Sequence, residues 1–332
     1  MKKMRLIVGM VGVFLFVTLV GNAAWSEQIV LRYAGQLPVT HHLTQADYRF
    51  AKMVGEKTNG KVRIEVYPAG QLYKGSSIVK AVMSGAVEMG IVFNGALTGP
   101  VPLMDLFELH FIFRDYDHIL KAWNGEVGEK IREEMEKNNI KALGFDAYGD
   151  SFSVVNKQRP VKMPKDFKGL KIRAAAPMHA EAVRALDASP VMMSSSEVYM
   201  ALQRGTIDGA ISGPTSIEKR KWYESAKYIT LPGAGYSLWP IMINLKVWKG
   251  LPPDVQGVMQ EVALDTIRHT MNLADIEDQK AVKLLSEKVE VYTLNQKERQ
   301  AWKDAVEGEE TKVFLKRTGK DGKNLIKLVK EM

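Results

Sequence analysis

The 332-residue chain contains no cysteine. That absence removes disulfide scaffolds, cysteine-ligated zinc, iron–sulfur clusters and thiol nucleophiles together. Histidine is scarce, six in all, and none forms an H-E-x-x-H pair or another helical zinc spacing. No G-x-G-x-x-G follows a strand, because Gly233-Ala234-Gly235 lacks the third glycine. Lys74-Gly75-Ser76 has no upstream glycine frame, so there is no Walker A loop. No metal and no cofactor are therefore expected. Long apolar runs are also missing beyond the N-terminus, where a helix would need about 20 such residues to span a bilayer. What remains is ordinary globular material, 46% apolar and 25% charged, long enough for about two domains.

The N-terminus differs from the rest. Lys2, Lys3 and Arg5 precede an uncharged apolar run from Leu6 to Val20, followed by small residues ending in Ala24-Trp25-Ser26. This is the layout of a secretory signal peptide over residues 1–26, with cleavage after Ser26, or after Ala23 or Ala24. An uncleaved anchor is the other reading, and the run is short for it. No cysteine follows the run, so a lipid anchor is excluded. Removing the three basic residues lowers the formal charge from +8 to +5, and an exported, soluble, periplasmic protein is expected. Acids such as Glu218, Glu224 and Asp321 interleave with the basic clusters, which argues against a nucleic-acid partner.

Alternation then organises the chain. Residues 29–33 read as a strand, and Leu43, Ala46, Phe50 and Val54 recur at helical spacing. Val62, Ile64 and Val66 alternate with polar residues up to Pro68, Ser76 to Met83 is helical, and Ala86 to Phe93 suits a buried strand. Such strand–helix alternation predicts an α/β fold with largely parallel sheet. The stretch from Ala81 to Glu88 is echoed from Ala201 to Asp208, each reading as a helix ended by glycine and then a strand opening with an acid. Chance recurrence of a common turn would give the same pattern; two lobes carrying one unit each is the reading we prefer. Gly144 to Val155 reads as a strand passing between lobes, and Pro253 to about Leu285 as a long amphipathic helix. Lys312 to Met332 reads as a basic surface helix. One catalytic fragment occurs: Ser77-Ile78-Val79-Lys80 matches the S-x-x-K of serine acyl-transferases, without the companion S-D-N and K-T-G elements.

Five segments, in order, resemble the solute-binding proteins of tripartite ATP-independent periplasmic (TRAP) transporters, of the C4-dicarboxylate-binding type. They are Phe50 to Leu72; Phe107 to Phe113; Asp166-Phe167-Lys168-Gly169-Leu170-Lys171-Ile172-Arg173; Ser196 to Gly209; and Trp222 to Tyr228. In the second, His110 stands where the family usually has proline. The resemblance implies a two-lobe, Venus-flytrap α/β fold, its lobes joined by crossing strands and a long helix. On that basis lobe I is 27–150 plus about 239–278, and lobe II is 151–238 plus about 279–332. It also implies a non-enzymatic monomer that captures a small organic acid and delivers it to the membrane subunits of a transporter. An exported hydrolase, or a binding protein serving a sensor, are the competing classes.

By the same resemblance, Arg173 is the main ligand contact. Its planar guanidinium offers two parallel donors to a carboxylate and stays charged at any relevant pH. Spacing alone would equally allow a strand-end surface arginine. Where relatives often carry a second arginine this chain has Asp150, and where they often carry an aromatic residue it has Ser195. Ser212 stands near the position of a family asparagine. An acid in place of a cation disfavours a second ligand carboxylate there, which predicts one carboxylate and a neutral, hydroxylated or amine-bearing remainder. Asp150 facing a neighbouring residue instead of the ligand is the alternative. Phe93, Asn94, His41, His42, Tyr236 and Trp239 fall at loops where a cleft would open, or else are packing.

Overall fold

A computed structural model describes residues 28–332, and the expected signal segment, residues 1–26, lies outside them. The chain first builds β1 (Ile29–Ala34), α1 (His42–Lys57), β2 (Val62–Tyr67), α2 (Ser77–Ser84), β3 (Met89–Ile91), α3 (Tyr116–Asn124), α4 (Glu126–Lys137) and β4 (Ile140–Asp150). It crosses into β5 (Ser153–Asn156), β6 (Lys171–Ala174), α5 (Pro177–Ala185), β7 (Ser189–Met192), α6 (Val198–Arg204), β8 (Gly209–Ser212), α7 (Pro214–Lys219) and β9 (Tyr228–Leu231). It returns through β10 (Tyr236–Asn244) and α8 (Leu245–Gly250) to α9 (Pro253–Ser286), then β11 (Glu290–Thr293) and α10 (Gln296–Glu331).

Two sheets result, ordered β2-β1-β3-β10-β4 and β11-β9-β5-β8-β6-β7. They are mixed, not largely parallel as the alternation predicted. The antiparallel ladders involve the strands at the crossings: β10 against β3 and β4, and β5 against β8 and β9. A strand arriving from the opposite lobe enters its sheet against the direction set by the local strand–helix–strand units. The single strand expected over Gly144 to Val155 is two, broken at Ser151-Phe152, so each sheet receives its own piece.

The internal echo has a structural counterpart. Gly85 and Gly205 end α2 and α6 in the left-handed region, at φ 77° and 74°, a conformation that costs a side-chain-bearing residue but not glycine. The next N–H groups, of Ala86 and Thr206, close back onto Ala81 and Ala201 at 2.9 and 3.0 Å. The two acids then perform one task. Glu88 accepts the Arg32 backbone N–H and Asp208 accepts that of Lys171, each at 2.8 Å, pinning the neighbouring parallel strand.

Helix α9 ties the halves together. At 34 residues it is about 50 Å long. Val255, Met259, Val262 and Ala263 pack with Phe50 and Trp239 in the first lobe, while Leu285 joins Trp222 and Ile229 in the second. Helix α10 repeats this in reverse. Trp302 and Val306 sit in the second lobe with Phe167, but Phe314, Leu325 and Val329 pack on Trp123 and Ile131 of the first. The C-terminal segment thus departs from the expected division, which carried all of 279–332 with lobe II. It also departs from a simple surface helix, because its apolar side covers the first lobe. Non-helical backbone at Gly319 (φ 60°) kinks α10 as it does so. No helix among the described residues is long and apolar enough to cross a membrane.

Candidate functional site

The crossings bring strand ends from both sheets around one small cavity of about 40 Å³. From the first lobe come Gln36 after β1, Phe93 after β3, Tyr148 on β4 and Trp239 on β10; from the second come Arg173 on β6, His179 on α5, Ser195 and Ser212. An outer chamber, open to solvent, shares Gln36, Phe93, Arg173 and Ser195 with it and adds Lys74, Lys80 and Met193.

Arg173 is only 4% exposed. Its Nε donates to the Met193 carbonyl (3.1 Å) and Nη1 to that of Ile211 (2.8 Å), over the Trp222 ring. No acidic side chain pairs with it among the described residues. Burial, with the nearby Arg220 cation, lowers its pKa to about 10, so it is still charged at neutral pH. A buried cation held only by carbonyls is costly, and the cost is removed by an anion entering the cavity.

One wall is aromatic. Tyr148 stacks on Trp239 with ring centroids 5.3 Å apart, and Phe93 tilts against Trp239 at 6.2 Å. Hydroxyls come from Ser151, Ser195, Ser212, Ser216 and Ser237, beside the Gln36 side chain and the His179 imidazole. Tyr148 also links the lobes: its hydroxyl lies 3.2 Å from Ser212 Oγ and accepts the Gly213 N–H at 3.3 Å.

Of the residues expected at a site, Arg173, Phe93, Ser195, Ser212 and Trp239 line this cavity, and Asp150, Asn94, Tyr236 and His42 do not. The Asp150 carboxylate is engaged in the crossing turn, accepting from Phe152 N (3.1 Å) and Ser153 Oγ (2.6 Å). Burial raises its pKa, against the lowering effect of those bonds. Tyr236 lies with Asp150 in a separate groove against α9, its ring edge-on to Tyr116. Asn94 is buried behind the wall, where its Oδ1 accepts from Ser237 Oγ at 3.1 Å. His42 stacks on His41 and His41 on Tyr148; burial drops the His42 pKa to about 4, leaving it neutral.

The residues that sequence reasoning missed include Tyr148, Ser151, His179, Ser216, Ser237 and Arg220. Arg220 follows α7 within Lys219-Arg220-Lys221, which reads as a solvated cluster. Instead it packs inward, donating to the Gln36 carbonyl across the cleft at 3.0 Å. Its place one residue past a helix whose first turn lines the cavity is a signal visible only once α7 is located.

Comparison with known proteins now fixes the family. The model of bacterial extracellular solute-binding proteins, family 7, matches residues 33–317. This chain belongs to that family. It is 30% identical over 311 residues to the C4-dicarboxylate-binding periplasmic protein of Rhodobacter capsulatus, covering 92% of each chain. It is 29% identical over 318 residues to the 2,3-diketo-L-gulonate-binding periplasmic protein of Escherichia coli, covering 94% and 96%. A TRAP periplasmic solute-binding protein from Sulfurospirillum deleyianum with bound succinate superposes with a TM-score of 0.84 at 29% identity, covering 91% of this chain and 98% of that one. One from a Sulfitobacter species with bound β-D-galacturonate gives 0.85 at 22%, covering 91% and 100%, a likeness of fold alone. The family 7 protein described here is thus a TRAP-type, extracytoplasmic solute-binding protein with the two-lobe α/β architecture.

Proposed function

We propose that this family 7 protein captures a small organic acid bearing one carboxylate and a hydroxylated remainder, and hands it to the membrane subunits of its transporter. The observation that carries the reading is Arg173, a buried guanidinium lining the cavity without an acidic partner among the described residues. The ligand carboxylate takes the free edge of its fork, the aromatic wall covers one face, and the serine hydroxyls meet the remainder. Closure is coupled to binding because the closed cavity buries Arg173, with Arg220 beside it, at a cost the ligand anion offsets. The membrane subunits then read the closed shape. Asp150 acts in the lobe-crossing turn, not on the ligand.

The same reading makes the protein a carrier and not a catalyst. Ser77 lines neither chamber, although Lys80 lines the outer one. Asp47 and Asp146 are sealed in the first lobe and line neither chamber. The working unit is a single chain directed to the periplasm by residues 1–26, with all the named cavity groups supplied in cis.

A thermal-shift screen of organic acids, followed by calorimetry, tests the proposal. A ligand stabilises by RT ln(1 + [L]/Kd), so a binding acid raises Tm with its concentration and is recovered intact. Absence of any shift with carboxylates, or conversion of the acid, would overturn it.

A further inference from the structure

His179 is the one titratable cavity residue besides Arg173 and Tyr148, and the family resemblance assigned it nothing. It lies in the first turn of α5 and is 5% exposed. Its Nε2 sits 3.2 Å from Oε2 of Glu108, a buried acid of the first lobe, so the pair reaches across the cleft. The contact is close but not aligned as a hydrogen bond, since Glu108 Oε2 has no such partner among the described residues. A bare imidazole nitrogen this near a carboxylate oxygen would set two lone pairs against each other. The proton therefore resides on Nε2, and in the neutral ring Nδ1 is left as an acceptor. That Nδ1 is buried and has no hydrogen-bond partner among the described residues.

Other buried side chains surround the ring. His110, 5.5 Å away between centroids, is engaged by Glu310, with Nδ1 to Oε1 at 2.6 Å and its backbone N–H to Oε2 at 3.0 Å. Phe152 lies against both histidines. Of the titratable groups near His179, Glu108 stands at 3.2 Å and the His110 ring at 5.5 Å between centroids, with Glu310 behind His110.

The geometry points to His179 as the residue that selects the ligand, with Nδ1 accepting a hydroxyl or N–H of the acid whose carboxylate sits on Arg173. This rests on the acid-capture reading and sharpens it: the remainder must carry a donor, so a hydroxy acid outcompetes its deoxy counterpart. A site built to pair with a hydroxyl rejects the analogue lacking it, because the buried acceptor is then left unpaired. Glu108 is a positioning residue that sets which nitrogen carries the proton.

The test is calorimetry on matched monocarboxylic acids, lactate against propionate, 3-hydroxybutyrate against butyrate and gluconate against hexanoate, with the full exported protein. In the wild type at least one hydroxylated member binds tenfold or more tightly than its deoxy partner. His179→Ala abolishes that ratio while deoxy acids are little affected. His179→Asn, whose amide oxygen can replace Nδ1, restores part of it. Binding measured in buffers of differing ionisation enthalpy shows no proton uptake at pH 7. Preference for the deoxy member, equal losses for both members in His179→Ala, or uptake of a proton would overturn the assignment. If no acid binds, or Arg173→Ala leaves binding unchanged, the acid-capture reading itself fails; if Arg173→Ala abolishes binding while the hydroxyl ratio ignores His179, only this inference fails.

Discussion

Arg220 of the second lobe donates to the backbone carbonyl of Gln36 in the first, 3.0 Å away across the cleft. Arg220 is held by no acidic side chain among the described residues, and its Nε has no partner there. Three effects meet at it: a charged hydrogen bond favouring closure, attraction for an anion, and repulsion of Arg173. Two of these favour the closed, liganded state. A hydrogen bond to a charged donor is worth about 1.5–3 kcal/mol, and the repulsion between the two guanidiniums is offset once an anion sits between them. Arg220→Met is expected to weaken acid binding about tenfold, or ~1.4 kcal/mol. Calorimetry giving an unchanged or tighter Kd would show that repulsion wins.

Arg173 carries the larger effect. Its replacement by alanine is expected to cost on the order of 2–5 kcal/mol of binding, because the ligand carboxylate would then be buried without its partner. Arg173→Lys keeps the charge but loses the planar fork, so an intermediate loss is expected. With its pKa lowered to about 10, the guanidinium is charged throughout the neutral range. Affinity should stay flat from about pH 6 to 9 and fall as pH rises through 10, where the cation is lost. A decline already at pH 8 would contradict this.

Asp278 of α9 supplies a stability test. Its Oδ2 accepts the Asp150 N–H at 2.7 Å and its Oδ1 the Thr215 hydroxyl at 2.7 Å, joining the crossing strand to α7. Burial, with some repulsion from Asp150, raises its pKa to about 7. Because the folded value lies above the unfolded one, this contribution is complete below about pH 4 and is lost as pH climbs towards 7. The displacement from 3.8 to about 7 is worth up to about 4 kcal/mol. Asp278→Asn should flatten the dependence of Tm on pH between 4 and 7, measured by calorimetric unfolding; an unaltered slope would assign it to other groups.

The crossing itself can be tested at Gly149. Its φ of 111° suits glycine, and an added Cβ would collide with the Asp278 carboxylate. The Tyr116 hydroxyl clamps the same peptide, accepting the Gly149 N–H at 2.6 Å. Gly149→Ala is expected to lose on the order of 2–4 kcal/mol of stability in denaturant unfolding. Loss within experimental error would mean that the crossing relaxes freely.

The outcomes for individual residues follow a physical pattern. Local periodicity placed β1, β2, α2 and α9 nearly to the residue, since alternation and helical spacing are properties of short segments. The paired glycines at 85 and 205 were legible because a left-handed helix end leaves a glycine signature. The expected β3 was too long: an apolar run does not say which of its residues find a ladder. Asp150 was expected at the cleft from the family resemblance, and Asn94, Tyr236 and His42 because they fall at loops, yet a loop residue can face either way. Which side faces the cavity depends on the twist and packing of the other lobe.

Composition and order of residues thus suffice for the class of molecule: an α/β chain of two similar units, without cysteine, with one arginine in a diagnostic motif. Those features depend on neighbours within about ten residues, or on a motif carried whole. The mixed sheets, the passage of α10 back to the first lobe, and the inward turn of Arg220 depend on contacts between segments more than fifty residues apart. So does the meeting of Glu108 with His179. Such contacts are made only when two independently folded surfaces close on each other, and no short-range pattern records them.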